Sequence, residues 1–201
     1  MFYCLYSFLN DFIITSPNIF QFGKKNTFLL LSIFTVIEYI VFSIVLYLHL
    51  KKLTFRRIIL LLFPFFIGFS IFQFFNAPTT NIDAFTITVE YILIISLCLL
   101  YFFEKISEPN ATFMSSSYIF WILVGILIYS AGTFFFFMQS AKLSNAEWDK
   151  WININYVCTI IENLFFSLAI VMRKEEEKNL YFDQNIDGLF EEPYNHLTPN
   201  P

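Results

Sequence analysis

Long apolar stretches alternate with short polar breaks along this chain, and the runs fall at about 27–50, 58–75, 83–103, 118–138 and 152–172. A helix rises about 1.5 Å per residue, so roughly 20 apolar residues cross the ~30 Å hydrocarbon core of a bilayer. Each run has that length. Strict alternation of apolar and polar positions is missing, and the runs are about twice as long as the ~9–11 residues of a barrel strand. The pattern predicts an all-α fold: a polytopic transmembrane helix bundle with five or six spans. The uncertain sixth lies in residues 1–26. Met1 to Ile14 is apolar but short and is interrupted by Asn10-Asp11, which fits a partial span or an interfacial helix. It lacks the basic start and small-residue cleavage site of a signal peptide.

The breaks carry helix-ending and helix-starting signals. Asn76-Ala77-Pro78-Thr79-Thr80-Asn81 closes the second span, and Thr80 stands three residues before Asp83, the spacing of an N-cap. Ser107-Glu108-Pro109-Asn110 closes the third span. Ser144 and Glu147 fit a capping box, which starts the fifth helix near Asn145 and lifts Trp148 and Trp151 to the membrane interface. Pro64 and Gly68 predict a kink in the second span.

Composition narrows the class further. Hydrophobic residues make up 57% and charged residues 14%, with 29 phenylalanines. An ordinary globular chain is about 25% charged, so a soluble fold is excluded. The net charge of −4 comes from residues 173–201, an acidic segment read as a disordered cytoplasmic tail. With that tail set aside the charge balances, and no basic face remains for nucleic acid. Cys4, Cys98 and Cys158 are scattered, and His49 and His196 stand alone. No disulfide framework, metal-ligand set, cofactor motif or nucleophile–base pair is visible, so the expectation is a protein that is not an enzyme.

Orientation follows from Lys and Arg. Placing Lys51, Lys52, Arg56 and Arg57 in the cytoplasm puts eight basic residues inside and four outside, with the C-terminus inside. Lys24 and Lys25 run against this assignment.

Three acids lie deep in the spans: Glu38, Glu90 and Glu162. An acid at a helix centre costs ~2.5–3.5 kcal/mol on insertion scales, so three call for a reason. Under the topology above their helices run the same way and place them at similar depth. Each belongs to a polar stripe: Thr35, Tyr39, Ser43 and Tyr47 beside Glu38; Thr86 and Tyr101 with Glu90; Asn155, Thr159, Asn163 and Ser167 with Glu162. The fourth span adds Tyr118, Trp121, Gly125, Tyr129 and Gly132. Such faces turn toward neighbouring helices in lipid. The candidate intramembrane polar site is therefore Glu38, Tyr39, Glu90, Tyr91, Trp121, Tyr129, Glu162 and Asn163. With no Lys or Arg in these spans, each carboxyl is expected to be the neutral acid.

Glu38-Tyr39, Glu90-Tyr91, Phe120-Trp121…Gly125…Tyr129…Gly132-Thr133-Phe134 and Asn155-Tyr156…Asn163 give the chain a further likeness over roughly residues 25–175. It resembles the small, Phe- and Ile-rich multi-helix membrane proteins of Bacteroidota. The resemblance implies a bacterial inner-membrane location and transfers no activity and no functional residue.

Three functional readings remain open. The first is a non-enzymatic sensory or signalling input module with a polar intramembrane pocket, coupled to a separate signalling protein or a second copy of the chain. The second is a small transporter or channel whose glutamates handle protons or a cation. In the third the glutamates only join helices. The lipid bilayer is the partner common to all three.

Overall fold

The computed structural model describes residues 24–76, 84–107, 117–140 and 153–174. Five helices occupy almost all of them: α1 (Lys24–His49), α2 (Leu53–Asn76), α3 (Ala84–Ile106), α4 (Tyr118–Ser140) and α5 (Asn153–Lys174). All five are long and apolar enough to cross a membrane. The protein is an all-α, multi-pass integral membrane protein. The N-terminal segment, the capping signals at Thr80 and Ser144, Trp148, Trp151 and most of the acidic tail lie outside the described residues.

Helix limits track the apolar runs closely, with one informative shift. α2 begins at Leu53 rather than near 58, so Arg56 and Arg57 lie in its first turns. The connection from α1 is reduced to Leu50–Lys52, and the Lys52 carbonyl accepts hydrogen bonds from the amides of Phe55 and Arg56. Pro64 and Gly68 do not interrupt α2, which stays helical through both.

Packing follows from the solvent. Lipid leaves apolar side chains indifferent to position, so helices associate through close packing and polar contacts. Large apolar residues accordingly face outward throughout, Leu61, Phe75 and Ile106 among the most exposed. α1, α3 and α4 are the most buried helices, whereas α2 and α5 expose more of their surface. α3 is central: it packs on α1, on α2 and, over its longest interface, on α4. Its buried positions, Thr86, Glu90, Ile94, Leu97, Tyr101 and Glu104, recur every three or four residues and form one continuous stripe.

α5 joins through α4. A Cβ on Gly125 would stand 2.9 Å from the Phe165 Cβ and 3.3 Å from the Glu162 carbonyl oxygen, and one on Gly132 would overlap the Cys158 sulfur. Only hydrogen at these two positions lets the backbones approach this closely. Trp121 stacks on Phe165 at 5.8 Å between ring centroids, and the Thr133 hydroxyl donates to the Asn155 side-chain oxygen at 2.9 Å.

Candidate functional site

Two polar centres lie on the buried stripe of α3, one near each end.

The first is built around Glu90, which is fully buried. It falls in the second turn of α3, about 9 Å of helix rise from Ala84. Glu38 of α1, also buried, brings its carboxyl close enough to repel Glu90 if both were charged. Neither carboxyl oxygen of Glu90 makes a hydrogen bond of good geometry, and the protein donor that comes near it is the Tyr39 backbone amide. The hydroxyls of Tyr39 and Ser43, one helical turn apart on α1, are buried too and lie near each other without a well-formed hydrogen bond to any other group. The Tyr39 ring is fixed by Phe66 of α2 at 4.2 Å between centroids. On the α4 side, the Tyr91 and Tyr129 hydroxyls share a hydrogen bond of 3.1 Å and their rings meet edge to face at 5.8 Å. Tyr91 lies within electrostatic range of both glutamates.

This arrangement is costly. Burying a polar group without a partner costs roughly 2–7 kcal/mol, depending on the reference state, and lipid offers no alternative partner. Two carboxyls close together in a low-dielectric interior cannot both ionise cheaply. A charge at this position is felt strongly, because screening is weak in the bundle interior.

The second centre is at the other end of α3 and is structural. Glu104 is buried, and its two carboxylate oxygens accept the backbone amides of Lys51 at 2.6 Å and Lys52 at 3.2 Å. A helix N-terminus leaves four amides unsatisfied and carries partial positive charge. Glu104 therefore clasps the start of α2 from a different helix. Around it the cations rest on aromatic rings: Arg56 over Tyr47 at 5.0 Å, Lys105 over Tyr101 at 5.8 Å and Arg173 over Tyr118 at 5.9 Å. His49 bonds back to the Val45 carbonyl at 2.7 Å and meets the Tyr118 hydroxyl at 3.4 Å.

Of the residues expected to form a polar site, the structure brings together Glu38, Tyr39, Glu90, Tyr91 and Tyr129. Glu162 is buried on α5 along the α4 seam. Trp121 serves that same seam through Phe165. Asn163 is a correction: it is exposed, and its amide donates to the Thr159 carbonyl of its own helix at 2.9 Å. At one residue from Glu162 it is rotated about 100° around α5, so only one of the two can point inward. Ser167 behaves like Asn163 and bonds to its carbonyl.

Sequence reasoning missed Glu104 because it stands just past the apolar run. The signal was present: Glu104 is fourteen residues after Glu90, close to four full turns, and so on the same face. Ser70 was missed as well, being a single hydroxyl within the apolar stretch 58–72 of α2.

Comparison with protein-family models, with curated proteins and with solved structures finds no match.

Proposed function

We propose that this protein is a non-enzymatic sensory input module of a bacterial inner membrane, in which the Glu38–Glu90 pair binds and releases a proton. The observation that carries the reading is Glu90: a fully buried carboxyl with neither oxygen in a well-formed hydrogen bond, beside a second buried carboxyl. A carboxyl that only joined helices would be expected to end on a donor, as Glu104 does.

Sensing is favoured over conduction by what lies between the two polar centres. From the pair toward the Leu50–Lys52 turn, the interior is filled by Phe42, Leu46, Ile94, Leu97, Leu123 and Ile126, each at most 2% exposed. A conduit needs a polar path past this layer. A sensor needs only that the charge at the pair alters helix packing, which a separate partner protein or a second copy then reads.

Infrared titration of the reconstituted protein tests the reading. A protonated-carboxyl band should disappear with rising pH, and Glu90→Gln and Glu38→Gln should each remove or shift it. A band that ignores both substitutions defeats the proposal. Proton flux into vesicles loaded with a pH-sensitive dye separates the two functional classes: flux that Glu90→Gln abolishes would establish a conduit instead. The orientation rests on the excess of Lys and Arg at the Leu50–Lys52 end, and reporter fusions at the C-terminus check it.

A further inference from the structure

The Glu38–Glu90 pair is shut off on one side by the apolar layer and approached on the other by hydroxyls. Ser32 and Thr35 of α1, Ser70 of α2 and Thr86 of α3 converge with Leu31, Phe74 and Ile87 on a small cavity of about 10 Å³. That is about the space one water molecule needs, and a water needs two to four polar partners to be stable there. Three helices supply them. Thr35, Ser70 and Thr86 are themselves buried.

The register connects this cavity to the acids. Thr35 stands three residues before Glu38 and four before Tyr39, and Thr86 stands four before Glu90. Residues at those spacings are stacked on one helix face, about 5.4 Å apart along the axis. The cavity is thus one turn from the carboxyls, on the side of the bundle where α2 ends and α3 begins. By the Lys and Arg count that is the outer side.

We infer that the seam of Ser32, Thr35, Ser70 and Thr86 is the route by which protons reach the Glu38–Glu90 pair, and that it opens to the outer side alone. A hydroxyl both donates and accepts, so a line of hydroxyls and water passes a proton without moving a charged side chain. A proton is the ligand inferred, because hydroxyls and a single water relay it without any ligand cage and the carboxyl pair is its acceptor. The titratable groups around the pair are Tyr39 from α1, Tyr91 from α3 and Tyr129 from α4. α2 contributes none there, and α5 carries Glu162 and Cys158 along the α4 seam. The inference rests on the proposal that the pair titrates.

The test is a pH step applied to one side of sealed vesicles of known, opposite orientations, with the carboxyl band followed in time. In the wild type the band should respond promptly to the outer side and slowly to the inner side. Thr86→Val, which keeps shape and deletes the hydroxyl, should slow the outer response by about tenfold or more, the rate equivalent of one lost hydrogen bond to a charge. Ser70→Ala provides a second, smaller deletion in case the first variant folds poorly. Both should leave the end point of the titration in place. Equal response from the two sides, or unchanged rates in both variants, overturns the seam while leaving the titrating pair intact. A pair that never titrates overturns both. Dependence of the band on sodium at fixed pH would replace the proton by a cation and also overturn the inference.

Discussion

Glu104→Ala removes the clasp on the start of α2 and should be the most destabilising single change among the described acids. The magnitude follows from the contacts. Two amides, those of Lys51 and Lys52, lose a charged acceptor at 2.6 and 3.2 Å. Leaving a buried donor unsatisfied costs ~1–3 kcal/mol, and hydrogen bonds to charged groups lie in the upper part of that range. The Lys51 and Lys52 side chains are exposed, so water reaches the turn and recovers part of the loss. The expected cost is therefore ~2–4 kcal/mol for Glu104→Ala. Glu104→Gln keeps one acceptor but sets an amide donor against a backbone donor, for ~1–2 kcal/mol. Lys51→Ala provides the contrast. It leaves the backbone amide in place and should cost no more than ~1 kcal/mol, the worth of a surface charge. Reversible unfolding in mixed micelles, followed by far-UV circular dichroism, gives all three values. Amide hydrogen exchange at Lys51 and Lys52 should accelerate in Glu104→Ala. If that variant unfolds within ~0.5 kcal/mol of wild type, the clasp carries no energy and the reasoning fails.

The same unfolding assay serves the other cases. Gly125→Ala should cost ~1–3 kcal/mol through overpacking against Phe165; Gly132→Ala should cost more, and Cys158→Ala in the same chain should recover much of the loss because it removes the overlapping sulfur. Tyr91→Phe and Tyr129→Phe should each cost ~0.5–1.5 kcal/mol, with the double variant well short of the sum because both break one hydrogen bond. Asn163→Ala should change stability by less than ~0.5 kcal/mol, since its amide is exposed and bonded within its own helix. Glu90→Met should be neutral or stabilising by ~1 kcal/mol, as expected when a buried acid without a partner gives way to an apolar group of similar volume; clear destabilisation would mean that the carboxyl has a structural role.

Fold class and span positions were legible in the sequence because the bilayer imposes a single length rule on every helix. The polar faces of α1 and α3 were legible for a related reason: Thr35, Tyr39 and Ser43, and Thr86 and Glu90, repeat at helical spacing against an apolar background. Two kinds of information were not legible. The first concerns which acids meet. Glu38 and Glu90 lie on helices in direct contact, whereas Glu162 belongs to a helix that joins through α4, and depth alone does not distinguish these cases. The second concerns partners across the fold. Nothing local to Glu104 says that it will find the amides of residues more than fifty positions earlier, because those amides are exposed by the ending of α1 rather than by any side chain. Asn163 misled for a simpler reason. Polar residues in a span suggest an interior face, yet an amide or hydroxyl can equally satisfy itself on the carbonyl four residues back.

Glu90 and Glu104 share one face of one helix, and the contrast between them separates structure from function more sharply than either does alone. Both are buried acids in a chain that has little charge to spare in its spans. Glu104 recovers its burial cost through two backbone amides, so the helix that carries it is held to the α1–α2 turn. Glu90 has neither oxygen in a well-formed hydrogen bond and has a second acid as neighbour. Stability therefore accounts for the first acid and argues against the second. An acid kept against stability is expected where its charge is meant to change. The apolar layer between them has a part in the same scheme. In the proposed sensor it would keep the charge at Glu90 unscreened from the Glu104 end, so that a proton gained or lost would act on the packing of α1, α3 and α4, the helices that surround the pair.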